Sequence, residues 1–167
     1  MISARMTTVL NFSPEEGISE CRKRVFAIAA LFILILIIYS NTFRASWHFD
    51  DEHTIMINPR LHLEDLSWKN IKNTFYSKDY QPEKLYRPVA CLSFALNYYL
   101  GKLNVLGYHL VNLAIHFITS VFLFLFIYQV LRLPSLGDKY LGNSYFIALL
   151  SSVLWAINPV QVQAVTY

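Results

Sequence analysis

The chain has 167 residues, of which 55% are apolar, 16% aromatic and only 15% charged. A soluble domain of this length carries more charge, so the balance points to an integral membrane protein. The formal net charge of +3 is small and scattered, which gives no support for nucleic-acid binding.

Residues 1–24 read as a cytoplasmic tail, polar and mixed, with Pro14 and Gly17 as helix breakers. Arg22, Lys23 and Arg24 stand directly before an uncharged apolar run over residues 25–43. At about 1.5 Å per residue that run is roughly 28 Å long, close to the thickness of the hydrocarbon core. It is the first predicted transmembrane helix. A cleaved signal peptide competes with an anchor here, but no small-x-small cleavage site follows the run. The basic triplet favours an N-terminus on the cytoplasmic side. Between Arg44 and Gly107 eight Lys and Arg stand against seven Asp and Glu. The charge rule weighs residues near the span ends, where three basic residues precede the span and Arg44 alone follows it. Residues 44–107 are therefore expected outside, as a large extracytoplasmic loop with interfacial helices. Cys21 and Cys91 then fall on opposite sides of the span, fit no metal spacing, and read as free thiols.

The loop opens on His48-Phe49-Asp50-Asp51-Glu52-His53. Carboxylates beside a membrane are costly to desolvate and tend to mark binding or chemistry. A solvated acidic helix exit is the alternative reading. His48, Asp50, Asp51 and His53 also offer nitrogen and oxygen ligands to a divalent ion, although their spacing matches no strong zinc signature. No metal is assigned from this pattern.

Asn58-Pro59 signals a turn, and Ser67 is a predicted N-cap for a short helix in which Trp68, Ile71 and Phe75 share one face. A Trp- and Phe-faced helix backed by Lys69 and Lys72 suits either the membrane interface or packing within the protein. Tyr86-Arg87-Pro88 opens an apolar helix over residues 89–100, with Pro88 in its first turn and Gly101 at its end. That helix is too short to span and reads as half-buried or re-entrant. Arg87 and the helix N-terminus together offer positive potential to an anion; a salt bridge to a loop carboxylate is the alternative.

Residues 108–131 form the second predicted span. His109, Asn112 and His116 lie on one stripe near its entry end, suited either to interhelical bonding or to lining a polar site with His53. Residues 132–140 read as a cytoplasmic turn containing Pro134 and Gly137. Residues 141–157 form a third span at the low end of the required length, in which Ser151 and Ser152 permit close packing. Residues 158–167 begin an outer segment. Three spans with a large loop suggest part of a longer protein. The expected fold class is thus an all-α membrane protein.

Several motifs recur in a set. They are Phe49-Asp50-Asp51, Tyr86-Arg87-Pro88, Tyr108-His109-Leu110-Val111-Asn112, and the stretch over residues 148–167 with Asn158-Pro159. In order and context this resembles the N-terminal part of the polytopic GT-C glycosyltransferases. The nearest branch is the membrane O-mannosyltransferase-like proteins with C-terminal tetratricopeptide repeats. Asn158 and Gln163 stand where that family often has His and Glu, and no tetratricopeptide repeat is present. The resemblance implies sugar transfer from a polyprenyl-phosphate carrier to a protein or glycan acceptor on the outer membrane face. It aligns Asp50 with the catalytic carboxylate and Asp51 with its orienting or metal-binding neighbour. Arg87 would meet the donor phosphate. It implies a multi-pass protein of the plasma membrane in a bacterium, or of the endoplasmic reticulum in a eukaryote. The alternative function is a non-enzymatic anchor, scaffold or transporter segment.

Overall fold

The computed structural model describes residues 14–44, 46–47, 52–77, 84–162 and 165, and all regular structure among them is helical. The first helix, α1, runs over Pro14–Ile38 and is followed by a 3-10 turn at Ser40–Arg44. The helix therefore starts well inside the stretch expected to be an irregular tail. Proline at a helix start loses nothing, because its missing N–H would be unpaired there. Gly17 costs at most about 1 kcal/mol inside a helix, which the long run after it outweighs.

A short helix α2 covers Trp68–Thr74, α3 covers Pro88–Gly101, α4 covers Val105–Val130 and α5 covers Ser144–Ala156. Among the described helices, α4 alone is long and apolar enough to cross a membrane. The apolar part of α1 ends at Ile38 and shares its helix with the basic triplet. The predicted span at 141–157 resolves into a 3-10 turn at Leu141–Asn143 and the 13-residue α5. Helix length thus identifies one span where the sequence suggests three.

The chain divides into two compact units, Met1–Ile37 with Phe117–Ile157, and Ile38–His116 with Asn158–Tyr167. The core of the first holds Ala27, Leu31, Phe124, Tyr128 and Ala148, all buried. Phe124 and Tyr128, one turn apart on α4, stack with ring centroids 5.9 Å apart, and Tyr145 meets both edge-on. The buried face of α5 is Ser144, Ala148, Ser152 and Ala156, a row of small side chains at four-residue spacing that lets a helix approach closely. Ser152 rather than Ser151 is fully buried, and its hydroxyl donates back to the Ala148 and Leu149 carbonyls at 2.9 Å. On the other faces Phe26, Phe122, Phe126 and Phe146 are each about two-thirds exposed. Exposed apolar rings along apolar helices suit lipid and not water.

At one end of this unit Glu20 accepts a hydrogen bond from the Tyr128 hydroxyl and pairs with Arg132 at 2.6 Å and Lys23 at 3.0 Å. Burial alone would raise the Glu20 carboxyl, but these bonds outweigh it and hold it at about 2. The guanidinium groups of Arg24 and Arg132 lie 5.5 and 4.9 Å from the centroid of the Tyr128 ring.

In the second unit α2 packs against α3. The strand of chain before α2 is fixed by Ile55, Leu61 and Leu63, all buried. Asn58 donates to the Ser77 carbonyl at 2.8 Å, the Arg60 guanidinium to the Tyr76 carbonyl, and the Tyr86 amide to the Phe75 carbonyl at 3.0 Å. Ser67 sits at the predicted N-cap position but its side chain makes no cap bond. Asp65 does the local work instead, accepting from the Ser67 amide at 2.8 Å and the Asn70 amide at 2.9 Å. Trp68 is 73% exposed, while Ile71 and Phe75 are half-buried and Thr74 is the buried residue of the helix. Of the three residues on that face, the indole is turned outward while the other two are partly covered.

Candidate functional site

Arg87 is set by its neighbour. A residue before proline is pushed out of the right-handed helical region. Arg87 resolves this with φ 40° and ψ 55°, a left-handed conformation, while its carbonyl accepts the Cys91 amide at 2.9 Å to start α3. For a residue with a Cβ this conformation costs about 1–3 kcal/mol and recurs where geometry serves function. Its side chain is exposed, with the guanidinium 5.5 Å from the centroid of the Tyr86 ring, and it forms no ion pair among the described residues. The charge is thus held at the head of a 14-residue helix, the end whose backbone N–H groups favour an anion.

Ser77 and Tyr86 are tied to α3 through sulfur. The Ser77 hydroxyl donates to Cys91 Sγ at 3.0 Å, and that thiol donates to the Tyr86 carbonyl at 3.2 Å. Cys91 is buried and Cys21 exposed, both as free thiols.

His48, Asp50 and Asp51 lie outside the described residues. His53 is exposed within a π turn at Glu52–Met56. No group of three or more His, Cys, Asp or Glu side chains that could hold a metal occurs among the described residues. His109 and His116 are both buried and Asn112 is half-buried, so the stripe lies on the enclosed side of α4. The His116 ring meets Tyr39 edge-on at 5.2 Å. Next to His109, Tyr108 meets Trp47 edge-on at 5.0 Å and donates to the Lys102 carbonyl at 3.2 Å.

One feature was not legible in the sequence. A cleft of about 520 Å³ opens in the second unit, with Arg60, Glu64, Asp65, Asn70, Asn73 and Tyr76 in its lining. His62 also lines it, its ring stacked on Tyr98 at 4.2 Å and its Nε2 held 3.2 Å from the Ile55 carbonyl. These residues follow no single period. The Asp65-x-Ser67 and Asn58-Pro59 turn signals were the only local hint that the segments on either side fold back together.

The chain is 33% identical over 131 residues to protein O-mannosyl-transferase TMTC3 of Homo sapiens, covering 77% of this chain and 13% of that protein. It is 32% identical over 135 residues to protein O-mannosyl-transferase TMTC2 of Homo sapiens, covering 78% and 15%. It is 29% identical over 156 residues to protein O-mannosyl-transferase F38B6.6 of Caenorhabditis elegans, covering 90% and 21%. No family model matches the chain, and no solved structure matches it. The chain is thus a homologue of the protein O-mannosyl-transferases over most of its own length, and it spans between 13% and 21% of the length of these three relatives.

Proposed function

We propose that the chain is part of a multi-pass GT-C glycosyltransferase that moves a mannosyl group from a polyprenyl-phosphate carrier to an acceptor hydroxyl at the outer membrane face. In this reading residues 25–43, 108–131 and 141–157 span the bilayer. Residues 44–107 form the outer loop that meets the lipid-linked donor. The observation that carries the reading is Arg87, exposed and without an ion pair among the described residues, at the head of α3. Homology to proteins named O-mannosyl-transferases supports the sugar and the reaction.

The chemistry follows from the groups. The acceptor oxygen bonds to the anomeric carbon as the bond from that carbon to the phosphate oxygen breaks. Asp50 takes the hydroxyl proton as general base, with Asp51 as its orienting neighbour. The electron pair leaves on the phosphate, whose growing charge is met by the Arg87 guanidinium and the N–H groups that open α3. His53, His109 and Asn112 are assigned to the polar lining of the site.

The test is mannosyl transfer from a polyprenyl-phosphate donor by the full-length protein. Asp50→Asn keeps the shape and removes the base, so the rate should fall about 10²–10⁴-fold while donor binding survives. Normal turnover by Asp50→Asn with a dead Asp51→Asn moves the base to Asp51. Normal turnover by both removes the acidic pair from the chemistry.

A further inference from the structure

The geometry points to a second binding site in the loop, the polar cleft behind α2, built to take a neutral saccharide of one to three units. The choice of mannose as the probe sugar rests on the transferase reading; the site itself rests on the lining of the cleft, since binding of a free sugar needs no transfer.

The cleft is sized for a small ligand, at about 520 Å³. Its lining is largely polar, where sites for apolar ligands are lined mostly by hydrophobic side chains. Two carboxylates, Glu64 and Asp65, stand against one guanidinium, Arg60. Bonds from the Ser67 hydroxyl and amide and from Asn70 hold the Asp65 carboxyl below its usual range, so it is charged at neutral pH. An excess of carboxylate repels phosphate, which sets this cleft apart from the Arg87 end of α3. A ligand with hydroxyls that both donate and accept satisfies the mixture.

The wall is preorganised. Asn58 ties to Ser77 and Arg60 to Tyr76, and the Arg60 amide is fixed on the Asn58 side chain at 3.2 Å. Asp65 and Asn70 fix each other across the mouth of α2 at 2.9 Å. Such ordering before binding lowers the entropy lost on binding. Meanwhile the Glu64 and Asn73 side chains make no hydrogen bond among the described residues, though both line the cleft. A carboxylate and an amide so placed can each bridge neighbouring hydroxyls of a pyranose. Tyr76 and His62 supply ring surface for its apolar C–H face.

The experiment is ligand-observed NMR with α-1,2-mannobiose and the full chain in lipid nanodiscs, which avoids sugar-headed detergents. A Ser/Thr-rich peptide is the second probe. Mannobiose should bind, and Glu64→Gln and Asn73→Ala should each weaken it by about tenfold, the loss of one good hydrogen bond. Lys139→Ala, in the other unit, should leave it unchanged. Circular dichroism checks that the variants keep their helix, which is expected because neither side chain is used in the fold. The proposal is overturned if mannobiose does not bind the helical wild type, if the two variants bind it normally, or if they lose only the peptide.

Discussion

Glu20 and Arg132, 112 residues apart in the chain, form an ion pair at 2.6 Å. The pair ties the first third of α1 to the residues just beyond α4, and the Tyr128 hydroxyl bonds the same carboxylate. Its aromatic neighbour belongs to the buried core cluster of that unit, so the polar tie and the apolar core share Tyr128.

That arrangement makes stability depend on pH in a defined window. The Glu20 carboxyl is held at about 2, against 4.5 for the free group. A depressed carboxylate contributes its stability above the unfolded value and loses it as pH falls through the folded one. Wild type should therefore lose stability between about pH 4.5 and 2 by a step that Glu20→Gln lacks. Above pH 5 the variant should be weaker by about 1–2 kcal/mol, a charge-assisted bond reduced by partial exposure. Thermal melts in nanodiscs across pH check this. Parallel curves for the two proteins would show that the pair adds nothing.

The long helix at Val105–Val130 was visible in the sequence because nothing charged interrupts it, and α3 because Pro88 and Gly101 bracket it. The start of α1 was missed because Pro14 reads equally as a breaker and as a first helical residue. The Glu20–Arg132 pair was missed because no local pattern links residues that far apart. The polar cleft was missed for the same reason, since the Asn58–Ser77 and Arg60–Tyr76 bonds create it. Of the candidate site, Arg87 was placed at a helix start from its Pro neighbour, but its left-handed backbone was not foreseen. Asp50 and Asp51 rest on the sequence motif.

The two thiols should differ sharply. Cys21 is exposed and Cys91 is 3% exposed, with its sulfur engaged by Ser77 and Tyr86. A maleimide should label Cys21 quickly and Cys91 roughly a hundredfold more slowly, because the second requires local opening. Both should label at once in SDS. Cys91→Val leaves the buried Ser77 hydroxyl without its partner and should cost about 1–3 kcal/mol, whereas Cys91→Ser should cost less. Equal labelling rates in the native protein would contradict the packing of the loop on α3.

Topology can be read from two exposed positions. Lys84 lies in the loop before α3, and Ser135 lies in the 3-10 turn Pro134–Leu136. In a Cys21→Ser, Cys91→Ser background, an impermeant thiol reagent added outside should label Lys84→Cys and not Ser135→Cys. Ser77, although in the same loop, is buried and would report poorly. Labelling of position 135 alone would reverse the proposed orientation.

Arg87 separates backbone from charge. Its φ of 40° is a conformation that glycine adopts freely and alanine does not. Arg87→Gly should leave thermal stability unchanged or raised, while Arg87→Ala should sit about 1 kcal/mol below it. Both remove the guanidinium, so both should lose donor affinity by about 10- to 100-fold, the worth of a charge-assisted contact to phosphate. Arg87→Lys restores a charge without the two-pronged donor and should recover only part of that loss. The measurement pairs melting with titration of a polyprenyl-phosphate sugar on the full-length protein. A glycine variant less stable than the alanine variant contradicts the left-handed backbone. A glycine variant that binds donor as wild type does shows that the strain at this position serves something other than the phosphate.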